Sequence, residues 1–303
     1  MKIFLTGATG FIGRNVLKRL LLEGHEVCIL LRPRRSHLID LGFGGEVPAE
    51  KKKVRHVSGD VVTGAGLDQG MQGCDAVIHL VGIIVEQGSN TFEAVHHLGT
   101  RNVVQATKRA GIKRFVHMSA LGVRENGVAA YQRSKWKGEE EVRRSGIPYC
   151  ILRPSLIFGP GDGFVTQMMD MMKKAPLFRP VPGDGSPKFR PIFVDDVTFC
   201  FARALTEEAA SNQTIELGGA DELTLNEVLS EIARCAGVKK RAVHIPMPLM
   251  FLGATLAGIL PNAPVTPGQL RMLREGSMCD IAPMKQIFGL IPRGFSGCGC
   301  GRS

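Results

Sequence analysis

MKIFLTGATGFIG, residues 1–13, runs an apolar strand, Ile3 to Leu5, straight into three glycines spaced G-x-x-G-x-x-G: Gly7, Gly10 and Gly13. Behind them Val16, Leu17, Leu20 and Leu21 recur at helical spacing, so the order is strand, glycine turn, amphipathic helix. Each glycine has its own task. Gly7 allows the tight strand-to-helix turn, Gly10 lets backbone approach a pyrophosphate, and Gly13 lets the helix pack closely on the strand. The unpaired N–H groups at the helix start then face an anion. Thr9, Phe11 and Ile12 lie in the same turn and join the glycines as candidate dinucleotide contacts. A glycine-rich turn without a ligand is the weaker reading, because a buried strand and an amphipathic helix flank the triplet.

The next strand, EVCILL at Glu26 to Leu31, decides which dinucleotide. About 20 residues beyond the glycines an NAD site places an acid that accepts from the ribose 2′-hydroxyl. Here the position is Arg32, followed by Pro33, Arg34 and Arg35. A guanidinium grips a 2′-phosphate through charge-assisted bonds, so NADP is expected over NAD, with Arg32 and Arg35 as its contacts. For Arg34 and Arg35 a solvated charge run stands as an equal alternative.

Composition narrows the classes. The 303 residues are 44% hydrophobic and 22% charged, ordinary for a globular protein of one large or two smaller domains. The formal net charge is +10, but the basic residues are scattered and lack RNA-binding aromatic signatures, so no nucleic-acid partner is expected. Isolated cysteines in apolar contexts, such as Cys28, Cys150 and Cys200, read as reduced thiols of a cytoplasmic protein. Cys298 and Cys300 lie in a Gly-rich tail without a second ligand pair, so no metal is expected. The apolar start is the first strand, which argues against a signal peptide. Met247 to Leu260, the longest apolar stretch, falls short of the roughly 20 residues that span a bilayer. It reads as a core or subunit-interface helix, with contact to lipid, a respiratory partner or a long apolar substrate as the alternative.

Further apolar strands recur at Val54 to Val57, Ala76 to Val81, Phe115 to Met118 and Tyr149 to Leu152, with helical intervals at Thr91 to Ala110 and Tyr131 to Ser145. This alternation predicts an α/β fold, a doubly wound parallel sheet of Rossmann type. Beyond Pro160 the texture turns Pro- and Gly-rich, and LTLNEVLSEIARCAGV reads as a helix capped by Thr224 or Asn226 and ended by Gly237. The expected division is a dinucleotide-binding domain of residues 1–158 plus 191–217 and a smaller, mainly helical substrate or partner lobe of residues 159–190 plus 218–303. Asp195 and Asp196 precede an apolar helix and are expected to cap it.

Tyr131 and Lys135, in YQRSK, share a helix face at i and i+4. An ammonium beside the phenol favours its anion and brings a group that titrates near about pH 10 closer to neutral acid-base chemistry. On its own such a pair is a frequent surface accident; after a fourth or fifth strand of a dinucleotide fold it reads as catalytic. His79, His96 and His97 lack ligand spacing and read as hydrogen-bonded histidines near the cofactor.

At this point the chain resembles the short-chain dehydrogenase/reductase superfamily, in its extended or atypical branch, the NAD(P)-dependent epimerase/dehydratase family. The resemblance covers residues 1 to about 290 and rests on ordered motifs. These are TGATGFIG (Thr6 to Gly13), SGD (Ser58 to Asp60), VIHLVG (Val77 to Gly82), FVHMSALG (Phe115 to Gly122), YQRSK, LRPSLIFGPGD (Leu152 to Asp162) and PIFVDDV (Pro191 to Val197). The chain looks most like the subgroup containing the accessory nucleotide-binding subunit of respiratory complex I. The resemblance implies that Asp60 and Val61 bracket the adenine, that Leu80, Val81 and Gly82 line the cofactor, and that Pro154, Leu156 and Ile157 touch the nicotinamide. It implies that Lys135 holds the ribose hydroxyls while Tyr131 moves the proton. One departure is Ala120 at the usual catalytic Ser or Thr, with Ser119 one place earlier; Ser119 either reaches substrate or satisfies backbone at a strand end.

The expected function is an NADP(H)-dependent oxidoreductase acting on a small or lipid-like carbonyl or alcohol. The alternatives are a non-catalytic NADP(H)-binding subunit or assembly factor linked to complex I or quinone metabolism, an NADP-sensing regulator, and a nucleotide-sugar epimerase or dehydratase, which the short Ser119 to Tyr131 interval disfavours. A homodimer is compatible with the fold.

Overall fold

The computed structural model describes residues 1–33, 53–174, 177–257 and 265–295. In chain order the elements are β1 (Lys2–Thr6), α1 (Phe11–Leu22), β2 (Glu26–Leu31), β3 (Val54–Ser58), α2 (Leu67–Met71), β4 (Ala76–His79), a π-helical turn (Glu93–Leu98), α3 (Gly99–Arg109), β5 (Phe115–Met118) and α4 (Ala130–Arg143). Then come β6 (Tyr149–Pro154), β7 (Ile157–Phe158), α5 (Gly163–Lys174), β8 (Phe178–Pro182), β9 (Lys188–Phe189), β10 (Ile192–Phe193), α6 (Val194–Arg203) and β11 (Gln213–Leu217). The chain finishes with β12 (Leu223–Thr224), α7 (Leu225–Cys235), β13 (Arg241–Ile245), α8 (Met247–Ala257), α9 (Pro267–Glu275) and α10 (Ala282–Phe288).

Seven parallel strands form one sheet in the order β11-β6-β5-β4-β1-β2-β3. Both faces are covered, which is why its strands read as continuous apolar runs. Ile3, Leu5, Ile29, Ile78, Val116 and Leu152 face one way, onto Val16, Leu17 and Leu20 of α1 and Val197 and Phe201 of α6. Phe4, Cys28, Val77, Phe115 and Ile151 face the other way, onto Leu67, Val103, Val104 and Val142. The doubly wound parallel sheet read from the sequence is the fold.

A third apolar cluster lies off the sheet, where Phe158, Val165, Met172, Val181 and Phe189 pack with Leu225, Val228, Leu229 and Ile232 of α7. Here α7 is closed by a capping box: Thr224 Oγ1 accepts from the Glu227 N–H at 3.3 Å, and the Glu227 carboxylate accepts from the Thr224 N–H at 2.7 Å. Cys28, Cys150 and Cys200 are buried free thiols.

The helical interval Thr91 to Ala110 is present, with Glu93–Leu98 wound as a π-turn ahead of α3. Two local expectations are corrected. The N-cap of α6 is Phe193, without a side-chain cap; Asp195 and Asp196 sit inside its first turn. There Asp196 accepts from the Arg293 N–H at 2.8 Å and Asp195 from its guanidinium at 3.3 Å, tying the C-terminal segment to the positive end of α6. Of the core and subunit-interface readings of Met247 to Leu260, the core one does not hold for α8: Leu249, Leu252 and Leu256 are 57–60% exposed, and Ala254 is its one buried residue.

Candidate active site

The strand order reverses between β1 and β4, and at the carboxyl ends of these two strands the backbone turns diverge and leave a crevice. It holds about 230 Å³ and is lined by Gly7, Thr9 and Gly10 after β1, Leu30 and Arg32 at β2, Gly59, Asp60 and Val61 after β3, and Leu80 to Ile83 after β4. The glycines do separate work. Gly7 has φ +81°, and a Cβ there would come within 3.0 Å of the Leu80 carbonyl carbon. A Cβ on Gly13 would lie 2.0 Å from Gly7 O, so only glycine lets α1 seat on the turn. At Gly10 the nearest atom to a Cβ is 3.4 Å away, leaving that backbone open. Gly10 is also the N-cap of α1 and supplies no capping side chain, so the first-turn amides look outward for an acceptor. A bare helix terminus beside open glycine backbone suits the diphosphate of a dinucleotide.

At the far end of the crevice Arg32 Nε lies 3.0 Å from Asp60 Oδ2, and Asp60 Oδ1 accepts from the Val62 N–H at 2.7 Å. The guanidinium is therefore tethered at the crevice wall by a carboxylate that is itself fixed by backbone. Arg35 lies outside the described residues. Phe11 and Ile12, both half-buried, do not line the crevice; Ile12 packs against the sheet core instead. Pro154, Leu156 and Ile157 likewise lie apart from its walls: Pro154 ends β6 against Leu217, and Ile157 pairs with Ile192.

Tyr131 and Lys135 stand on α4. The Lys135 ammonium is buried and donates to the Met118 carbonyl at 2.7 Å; a Cβ on Gly82 would lie 3.3 Å from its Nζ, so it abuts the crevice wall. Burial lowers its pKa to about 8 against the opposing pull of Glu139. The Tyr131 ring is held edge-on by His96 at 5.3 Å and Phe92 at 5.9 Å. Burial pushes the Tyr131 phenol up to about 12. Tyr131 is a neutral phenol, a proton donor at any ordinary pH.

Ser119 does not satisfy backbone with its side chain. It is 2% exposed, its own N–H reaches Leu152 O at 2.8 Å, and its Oγ has no partner. An unpaired buried hydroxyl is costly, and it marks Ser119 as a group that lacks an acceptor or donor within the protein.

The histidines sit below this pair. His79 Nδ1 lies 2.7 Å from Thr6 Oγ1 and its Nε2 lies 3.1 Å from Thr100 Oγ1. His96 accepts from the Ile83 N–H at Nε2, 3.0 Å, and its Nδ1 is 2.8 Å from Ser134 Oγ. Burial lowers the pKa of His79 to about 3 and of His96 to about 2, so both rings are neutral. Among the described residues no three of His, Cys, Asp and Glu gather as a metal would need. Sequence reasoning missed Leu30, Gly59 and Ile83 in the crevice wall; Leu30 is near the end of β2, Gly59 follows β3 and Ile83 lies in the turn after β4, all on the carboxyl side of the sheet, a signal that topology supplies.

A larger depression, about 690 Å³, lies on the outer side of α4. Its polar side chains satisfy one another: Lys137 with Glu93 at 2.9 Å, and His97 with Glu93 at 2.7 Å and Glu141 at 3.1 Å. None of the glycine-turn residues reach it, so the smaller crevice, with its open backbone and neutral phenol nearby, is the candidate site.

Comparison with known proteins bears on this geometry. The model of the NAD dependent epimerase/dehydratase family matches residues 3–218. The ceramide reductase of Caulobacter vibrioides is 30% identical over 268 residues, 86% of this chain and 77% of that protein. The mitochondrial NADH dehydrogenase [ubiquinone] 1 alpha subcomplex subunit 9 of Arabidopsis thaliana is 30% identical over 254 residues, 80% of this chain and 60% of that subunit. In fold, the chain is similar to the UDP-glucuronic acid 4-epimerase of Bacillus cereus, solved in complex with UDP-glucuronic acid and NAD, with a TM-score of 0.71, 20% identity, and coverage of 98% and 95% of the two chains.

Proposed function

The chain belongs to the NAD dependent epimerase/dehydratase family, and from that premise we propose that it is an NADP(H)-dependent oxidoreductase that interconverts a small or lipid-like carbonyl and the corresponding alcohol. The observation that carries this reading is the neutral Tyr131 phenol one helical turn from a Lys135 ammonium that abuts the crevice wall at Gly82.

The fit to a nicotinamide dinucleotide rests on the uncapped α1 terminus, the open face of Gly10 and the orphaned Ser119 hydroxyl. When bound, the reduced nicotinamide supplies a hydride to the carbonyl carbon. Tyr131 Oη gives its proton to the carbonyl oxygen, which becomes the hydroxyl, and takes one back in the reverse direction. Lys135 offers its positive charge to the ribose side of the crevice and stabilises the phenolate left after proton transfer. Ser119 Oγ is free to hydrogen-bond the carbonyl oxygen in the role that Ala120 cannot fill. Arg32, 40% exposed beside the crevice, supports a 2′-phosphate and hence NADP. A relative named for ceramide reduction supports the lipid-like end of the substrate range.

A second reading, a subunit that holds the dinucleotide without turnover, is favoured by Ala120 and by the likeness to a complex I subunit. A screen of aldehydes and ketones, long-chain ones included, with NADPH oxidation as readout separates the two. Turnover that falls at least a hundredfold in Tyr131→Phe, with cofactor affinity retained, supports the oxidoreductase. A cofactor that binds tightly, is never oxidised, and leaves with a respiratory complex on purification supports the subunit and overturns the oxidoreductase.

A further inference from the structure

We infer that α8 and α9 form a docking face for an anionic phospholipid bilayer. Leu249, Leu252 and Leu256 fall on one side of α8 at i, i+3 and i+7, each 57–60% exposed, and only Ala254 of this helix is buried. An apolar side of that size left open to water is unusual for a surface helix. Among the described residues no helix is long and apolar enough to span a bilayer. A helix of this kind lies in the interface, leucines downward, if the surroundings are cationic.

The surroundings are cationic. Residues 232–274 contain no aspartate or glutamate. Lys239 and Arg241 before α8, and Arg271 and Arg274 on the α9 helix that packs against it, are all exposed. The first acid after this stretch, Glu275, is spent inward on Arg124 and on Gln132 Nε2 at 2.8 Å. Within this stretch the apolar side therefore has basic neighbours and no acid, and Asp184, beside the Gly183 that abuts Met247, is tied to the Ser186 N–H and hydroxyl, a pattern that complements an anionic leaflet better than a neutral one. The bonds from Glu275 also hold α9 against the first turn of α4, so the docking face lies one helix from Tyr131. A lipid-like carbonyl would leave the bilayer close to the proton donor; this last point rests on the oxidoreductase reading, whereas bilayer binding does not.

Flotation of the full chain with phosphatidylglycerol-containing vesicles tests it. The chain is expected to float with these vesicles, to float poorly with pure phosphatidylcholine, and to be released by high salt. Leu252→Glu/Leu256→Glu is expected to lower vesicle binding at least tenfold with unchanged thermal midpoint and dinucleotide affinity, and the milder Leu249→Ser to lower it in the same direction. Wild-type chain that stays unbound, that binds neutral vesicles equally well, or whose α8 variants change only a dimer into a monomer overturns the inference. Turnover is not part of this readout, so its outcome is separate from that of the proposed chemistry.

Discussion

The Ile83 N–H donates to His96 Nε2 across 3.0 Å. Because that nitrogen accepts, the neutral ring carries its proton on Nδ1 and donates it to Ser134 Oγ, whose own hydroxyl donates to the Tyr131 carbonyl at 2.9 Å. One imidazole thus locks the crevice wall after β4 to the helix that bears Tyr131. Replacing His96 by Ala is expected to cost about 2–4 kcal/mol, through lost packing and an unpaired Ile83 amide, and to weaken dinucleotide binding. Ser134→Ala is expected to cost only about 1 kcal/mol. Urea denaturation and cofactor titration of both variants check this.

Gly10 and Gly13 separate binding from folding. An added Cβ at Gly10 meets nothing closer than 3.4 Å, whereas at Gly13 it would sit 2.0 Å from Gly7 O. Gly10→Ala is expected to keep the fold, with a thermal midpoint within a few degrees of wild type, and to lose most dinucleotide affinity because the methyl occupies the phosphate approach. Gly13→Ala is expected to lose the fold or most of its stability. Circular dichroism melts beside calorimetric titration distinguish the two.

Acid stability follows from the buried histidines. His79, His96 and His117 all have folded pKa values depressed by burial, to about 3, to about 2 and well below 6.5 respectively. The unfolded chain therefore binds more protons below about pH 6.5, and stability that is fully present above that pH is lost as pH falls toward the folded values. Each ring contributes about 1.4 kcal/mol per pH unit, so about 4 kcal/mol is expected to vanish per unit once all three are below their unfolded pKa. His117 leaves both ring nitrogens unpaired in the core, so His117→Leu is expected to flatten this slope by a third and to cost little stability at neutral pH. Denaturant midpoints at about pH 7 and about pH 5.5 measure both effects.

Turnover has its own pH limit. Lys135, lowered to about 8, loses its positive charge as pH rises through that value, while Tyr131 stays protonated. Activity is expected to decline above about pH 8 and to show no limb from the phenol. Glu139, fully buried and bonded to Arg153 at 2.7 and 2.9 Å and to Arg143 at 2.5 Å, supports the Lys135 charge. Glu139→Gln is expected to move the alkaline limb to lower pH and to cost about 3 kcal/mol from the disturbed ion pairs. A pH–rate profile of wild type and variant reads the first, a melt the second.

Much of the fold was legible because its signals are local. Ile3 to Leu5 ahead of Gly7, and the recurring apolar strands, need no knowledge of distant chain to be read. What the sequence did not disclose depends on contacts far apart along the chain. Arg32 reads as a phosphate contact, but its tether to Asp60, 3.0 Å away and 28 residues on, is a pairing that only the fold reveals. The i, i+4 spacing puts Tyr131 and Lys135 on one helix, but the burial that pushes the phenol up depends on distant chain, where His96 and Phe92 meet the ring edge-on. Likewise Met247 to Leu260 reads as a core or subunit-interface helix from its composition; only the packing shows which side of α8 lacks a neighbour.

The most direct test is calorimetric titration of NADPH and of NADH into wild type and Arg32→Ala. The account predicts that NADPH binds wild type at least tenfold more tightly than NADH and that the two converge in Arg32→Ala, with NADH affinity nearly unchanged. Equal affinity of the wild-type chain for both nucleotides, or no heat from either, would contradict it.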